Sequence, residues 1–190
     1  MTNQFYKGDI IRTNPQDNFW GIAVVLSESE KTSEFHALCH IAITPLVYQH
    51  KVEFEELDIA KLSVLQFTRG IRLTPGEESS RSETSIGVYL RKFKTPVDII
   101  GNVNPDFIYS GPLPFSPDFG LEVSWPLCGA VARSLGMEAL ITWRRIYDNE
   151  NFQKEIEESK RKHEALMLKI KEEEREKRKN SKLRKPSKPT

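Results

Sequence analysis

The stretch Gly136-Met137-Glu138-Ala139-Leu140-Ile141-Thr142-Trp143-Arg144-Arg145-Ile146-Tyr147-Asp148 separates two kinds of chain. Strand-like runs, turns and prolines precede it, and almost wholly charged sequence follows. It is apolar at Met137, Leu140, Ile141, Trp143, Ile146 and Tyr147, so it reads as an amphipathic segment that closes a globular part and launches a polar one. From Asp148 onward there are 14 Lys/Arg against 10 Asp/Glu, a net of +4, and from Met1 to Tyr147 there are 14 against 17, a net of −3. The predicted domains are a β-rich globular domain over 1–147, a charged helical extension over 148–179 and a disordered basic tail over 180–190. A domain of that size buries a hydrophobic centre without staples.

Working back from the closing segment, the turn cluster Asn14-Pro15-Gln16-Asp17-Asn18 separates Phe5 to Ile11 from Phe19 to Leu26, which predicts an antiparallel hairpin. The second run, Trp20-Gly21-Ile22-Ala23-Val24-Val25-Leu26, is apolar on both faces and predicts a central strand. Phe35 to Val47 is a third strand, ended or edged at Pro45. Ile59 to Leu65 is compatible with strand or short helix. Phe67 to Leu73, Ile86 to Leu90 and Val97 to Val103 are further strands. Glu77 to Thr84 is Ser/Glu-rich and reads as a mobile loop. Asn104 to Pro126 carries five prolines among aromatic residues, an ordered irregular arm. The fold class is therefore α+β: a small antiparallel barrel-like or curved-sheet domain, closed by a short helix and followed by a long charged helix.

Asp148 or Asn149 caps that last helix, which runs without Pro or Gly to about Lys179, about 45 Å at 1.5 Å per residue. Its seam, Ile156, Ser159, His163, Leu166 and Ile170, holds Ser and His at two of five places. The sequence favours a solvated single helix with i,i+4 charge pairs over a coiled coil.

Chemistry-bearing motifs are sparse. His36, Cys39 and His40 resemble a ligand cluster, but on a strand positions 36 and 40 lie about 13 Å apart, too far for one zinc. Cys128 in Pro126-Leu127-Cys128-Gly129-Ala130 lacks identifiable activating partners, so a structural thiol outweighs a nucleophile. The glycines form no phosphate-cradling loop. The sequence thus predicts no enzyme, no cofactor and no metal. Two cysteines, no visible secretory signal and no span of about 18 apolar residues predict a soluble cytoplasmic protein that does not engage membranes.

Two groups are candidate partner-binding residues. Glu53, Glu55, Glu56 and Asp58 are a solvated acidic patch or a surface for a basic partner. Trp143, Arg144 and Arg145, with Trp125, are interface hot-spot types or the packing of the closing helix. Lys182, Arg184 and Lys185 in the tail give nucleic-acid binding as the alternative.

Three features occur in order: Tyr6-Lys7-Gly8-Asp9-Ile10-Ile11 leading to Phe19-Trp20-Gly21-Ile22-Ala23-Val24-Val25, then Ile99-Ile100-Gly101-Asn102-Val103, then the Gly136-Met137-Glu138 and Trp143-Arg144-Arg145 close. This order resembles the immunity protein twenty-six family of bacterial polymorphic-toxin systems, over about Phe5 to Phe152. The resemblance implies a small β-rich cytosolic domain that neutralises a cognate protein toxin without catalysis. The charged tail is not part of that pattern.

Overall fold

The computed structural model describes residues 4–30, 37–74, 77–92, 97–113 and 135–183. The chain is α+β and forms two compact units, Met1–Trp143 and Arg144–Thr190. The first carries strands β1 (Asp9–Gln16), β2 (Phe19–Glu28), β3 (Leu38–Tyr48), β4 (Gln66–Thr74), β5 (Glu77–Thr84), β6 (Ile86–Leu90) and β7 (Asp98–Asn102). Helix α1 (Met137–Tyr147) crosses the division, and α2 (Asn149–Leu183) follows it. The second helix runs to Leu183, four residues past the predicted end, and 184–190 lie outside the described residues.

The main sheet is antiparallel, in the order β6-β3-β2-β1-β7. It is open, with β6 and β7 at its edges among the described residues, and does not close into the expected barrel. As the two-faced apolar pattern predicts, β2 is central. One face presents Ile11, Ala23, Val25, Cys39, Ile41 and Ile43, covered by Phe5, Leu65, Leu135 and Ala139 of the α1 region. The opposite face presents Ile10, Ile22, Val24, Ala42 and Ile86, covered by Val52, Leu57, Leu62 and Val64 of the β3–β4 connection and by Ile108. The ambiguous segment from Ile59 to Leu65 is neither strand nor α-helix. It makes one 3-10 turn, Ile59–Lys61, and then runs on irregularly, with Leu62 and Val64 buried.

Three local readings change. The β1–β2 turn shrinks to Asp17 and Asn18, because a bulge between Thr13 and Gln16 carries Pro15 within β1, and Asn18 takes φ 65°. Asn tolerates that left-handed conformation better than most residues. Pro45 does not end β3: the strand bulges at that point and resumes pairing at Val47 with Gly21. Inside the bulge the Thr44 hydroxyl donates to the Ile22 carbonyl at 2.9 Å, supplying a bond outside the regular ladder. Glu77 to Thr84 is not a loop but β5, paired with β4 from Gln66↔Thr84 to Thr74↔Glu77. A strand with few apolar residues gives no period-2 signal, so only its ladder reveals it. The arm over Asn104–Pro126 is described as far as Leu113 and includes a 3-10 turn, Pro105–Phe107, capped by the Asn104 side chain. Its remainder, with Trp125, lies outside the described residues.

Helix α1 enters through Gly136, at φ +82°. A Cβ there would lie 2.4 Å from Thr13 Oγ1, and a Cβ at Gly21 would lie 2.8 Å from the same atom. Two glycines thus let the helix and β2 close around Thr13. Gly136→Ala combines a strained φ with that clash and is expected to destabilise the fold by about 1–3 kcal/mol, read as a lower midpoint in urea unfolding.

Candidate partner-binding surface

The acidic residues lie on the connection that covers one face of the sheet. Val52, Leu57 and Leu62 are buried, and they hold two short 3-10 turns, Phe54–Glu56 and Ile59–Lys61, against the strands. The Phe54 ring lies over β7 at Gly101, where a Cβ would come within 2.2 Å of it. Spacing of the apolar residues by five therefore leaves the acids between them outside.

Arg12 pins this connection from within. It stands on β1 opposite Ile22, on the covered face, and its side chain is 7% exposed. Its Nη1 donates to the Val52 carbonyl at 2.8 Å and to Glu53 Oε2 at 2.8 Å, and its Nη2 donates to Asp98 Oδ2 at 3.1 Å. Its buried Nε has no hydrogen-bond partner among the described residues. One guanidinium thus joins β1, β7 and the acidic turn, as a planar five-donor group can and an ammonium cannot.

The other carboxylates are also engaged. Glu56 accepts the Glu53 backbone N–H at 2.9 Å and lies 2.9 Å from His50 Nε2. Those two contacts, the backbone bond first, hold its carboxyl below the usual carboxylate range. Asp58 pairs with Lys61 at 2.9 Å, and that bond and charge lower its pKa. Burial, with Glu56 and Asp58 nearby, raises the Tyr48 phenol. Glu55 is exposed and has no hydrogen-bond or ion-pair partner among the described residues. The four acids therefore form one exposed surface, three of them held in place and one free.

The second predicted group separates. Trp143 is half-buried and packs edge-on to Phe19 of β2, with ring centroids 5.6 Å apart. Arg144 is buried in the second unit. It makes a two-pronged pair with Glu155, both contacts at 2.7 Å, reaches Asp148 at 3.1 Å, and lies over the Phe152 ring. The Glu155 carboxyl is lowered in pKa by that bond. Arg144 thus braces the bend at Asp148 between the two helices, where Asp148 O accepts the Phe152 N–H. Arg145 is exposed and has no such partner among the described residues. Lys182 lies in α2, whereas Arg184 and Lys185 lie outside the described residues.

The residues weighed for chemistry are placed as follows. Burial pushes the Cys39 thiol up to about 12, so at neutral pH it is a thiol on the core and not a nucleophile. His40 is buried, with Nδ1 2.7 Å from Ser27 Oγ. His36 and Cys128 lie outside the described residues. Among the described residues no group of three or more His, Cys, Asp or Glu is placed to hold a metal ion. No helix among them is long and apolar enough to cross a membrane.

Two structural arginines escaped the sequence reading. Arg12 carried a signal: it shares period-2 parity with Ile10 inside an apolar run, which marks a buried charge that needs partners. Arg91 carried none. It lies at the end of β6, and its donors reach the Phe5 carbonyl at 2.9 Å, Glu28 at 2.9 Å and Glu30 at 2.7 Å. These partners come from distant parts of the chain that only the fold assembles.

No family model matches the chain, and no similar protein was found among the curated proteins or the solved structures.

Arg12→Ala is expected to destabilise the protein by about 1–3 kcal/mol, because it strands the buried Val52 carbonyl while the half-exposed Glu53 and Asp98 return to water. Chemical denaturation measures the loss, and Arg12→Lys should recover part of it. The lowered Glu56 pKa makes a second expectation. A carboxyl depressed in the folded state contributes stability above its unfolded value of 4.5, and that contribution fades as pH falls through the folded value. His50→Ala should move the Glu56 titration, followed by carboxyl NMR shifts, back toward that unfolded value.

Proposed function

We propose that this protein is a non-enzymatic binding protein that presents the acidic turn from Glu53 to Lys61 to a basic protein. The partner fitting this reading is a cognate toxin, neutralised by occlusion, as the resemblance to the immunity protein twenty-six family implies. The observation that carries the reading is the anchoring of the turn. Arg12 beneath it and Val52, Leu57 and Leu62 beside it fix where the exposed carboxylates stand. A surface ordered before contact loses little conformational freedom on binding, and fixed charge speeds encounter with an oppositely charged partner. Exposed Arg145 is a further contact candidate.

The test is coexpression with the product of the adjacent gene, followed by copurification and titration. A one-to-one complex is expected, and Glu55→Lys with Asp58→Lys should weaken it about tenfold or more, since like charges then face each other. Unchanged affinity in that double variant would remove the acidic turn from the interface. Copurifying RNA in place of a protein, lost in Lys182→Ala/Arg184→Ala/Lys185→Ala, would favour the nucleic-acid reading instead.

A further inference from the structure

Helix α2 carries an apolar cluster that the described residues leave in water. Every side chain from Glu157 to Lys177 is exposed, and among them Leu166 is 55%, Met167 41% and Ile170 40% accessible. Leu166 and Ile170 lie one turn apart, with Met167 beside them. Acids and bases occur on both sides of this cluster, but the positions that flank its face of the helix are sorted: Lys160 and Lys162 before it, Glu174 and Glu176 after it.

We propose that this face of α2 binds a second copy of the same helix in antiparallel orientation, with the two-fold axis crossing at Leu168. Leu166 then packs on the partner's Ile170, and the two copies of Met167 meet across the axis. One layer out, His163 faces the partner's Glu173. One layer further, Ser159 faces the partner's Lys177. The polar residues that weaken the seam within one chain thus find complementary or neutral groups across it. On the flanks, Lys160 lies beside the partner's Glu174, and Lys162 beside the partner's Glu176. Lys169 meets its own copy, the one like-charge contact of the set, and its long stem reaches outward to water. From Ser159 to Lys177 the contact spans about 27 Å at 1.5 Å per residue.

Charge at the central positions disfavours the parallel alternative. In that orientation each central position meets itself, so Glu173 would face the partner's Glu173 and Lys177 the partner's Lys177, at positions that a coiled coil shields from solvent. The apolar part is short, so the dimer is weak and depends on concentration. Its charged flanks also make it sensitive to salt, unlike a purely apolar contact.

The experiment is sedimentation equilibrium of the full chain at low salt, from micromolar to near-millimolar concentration. A reversible monomer–dimer equilibrium is expected, weakening several-fold as salt is raised. Leu166→Gln with Ile170→Gln should abolish it, and circular dichroism would confirm that helicity is kept. Lys162→Glu should weaken the dimer about tenfold, and adding Glu176→Lys in the same chain should restore it. Residues 162 and 176 are four turns apart within one helix, and a parallel pair does not bring them together, so rescue reports the antiparallel contact alone. A monomer at every concentration, a dimer indifferent to Leu166→Gln/Ile170→Gln, or the absence of rescue would each overturn the proposal.

Discussion

The structure depends on a central strand that has no polar face. Ile22, Val24 and Leu26 point one way from β2 and Ala23 and Val25 the other, so both sides of the sheet must be kept from water. A sheet with one wet face would strand one of these sets, at about 25 cal/mol per Å² of apolar surface left exposed. The chain meets the requirement with unlike covers. One side receives Leu135 and Ala139 of the α1 region, and the other receives an irregular connection bearing Val52, Leu57, Leu62 and Val64. An irregular cover has few backbone bonds of its own, which is why a buried arginine is used to fasten it.

That fastening decides how the acidic turn should be understood. Four acids within six residues read, as sequence, as a solvated run. In the fold Glu53 is tied to Arg12, Glu56 to His50 and to the Glu53 amide, and Asp58 to Lys61. These exposed pairs add little to stability. Their effect is on geometry, because they limit where each carboxylate points. The buried end, Arg12 on the Val52 carbonyl, is where the energy lies, since an unmet carbonyl there has no access to water.

The sheet's centre was legible in the sequence because burial on both faces leaves an unbroken apolar run, and the closing helix was legible from its amphipathic pattern and the charged sequence after it. The open edge was not legible: whether a curved sheet closes depends on strand order, and nothing in Ile86–Leu90 or Asp98–Asn102 says that they stand at opposite edges of it. β5 was hidden because Glu77–Thr84 pairs without an apolar stripe. Pro45 misled because Thr44 supplies a side-chain bond inside the bulge. For the candidate surface, the residue types were visible and their anchoring was not. Arg12 shares parity with Ile10 and left a trace, whereas the Arg91 cluster draws on Phe5, Glu28 and Glu30 and left none.

An open sheet has two margins where backbone groups lack a neighbouring strand, and such margins recruit other chains. Here the longest strands, β2 and β3, are kept inside, and the outermost ones, β6 and β7, have only five residues each. Asp98, held by Arg12, also sets a negative charge at the start of β7. A passing polypeptide is offered a short, charged landing strip in place of a long apolar one. Among the described strands of this sheet, strand order itself therefore leaves only short margins to another chain, without the enclosure that a barrel would provide.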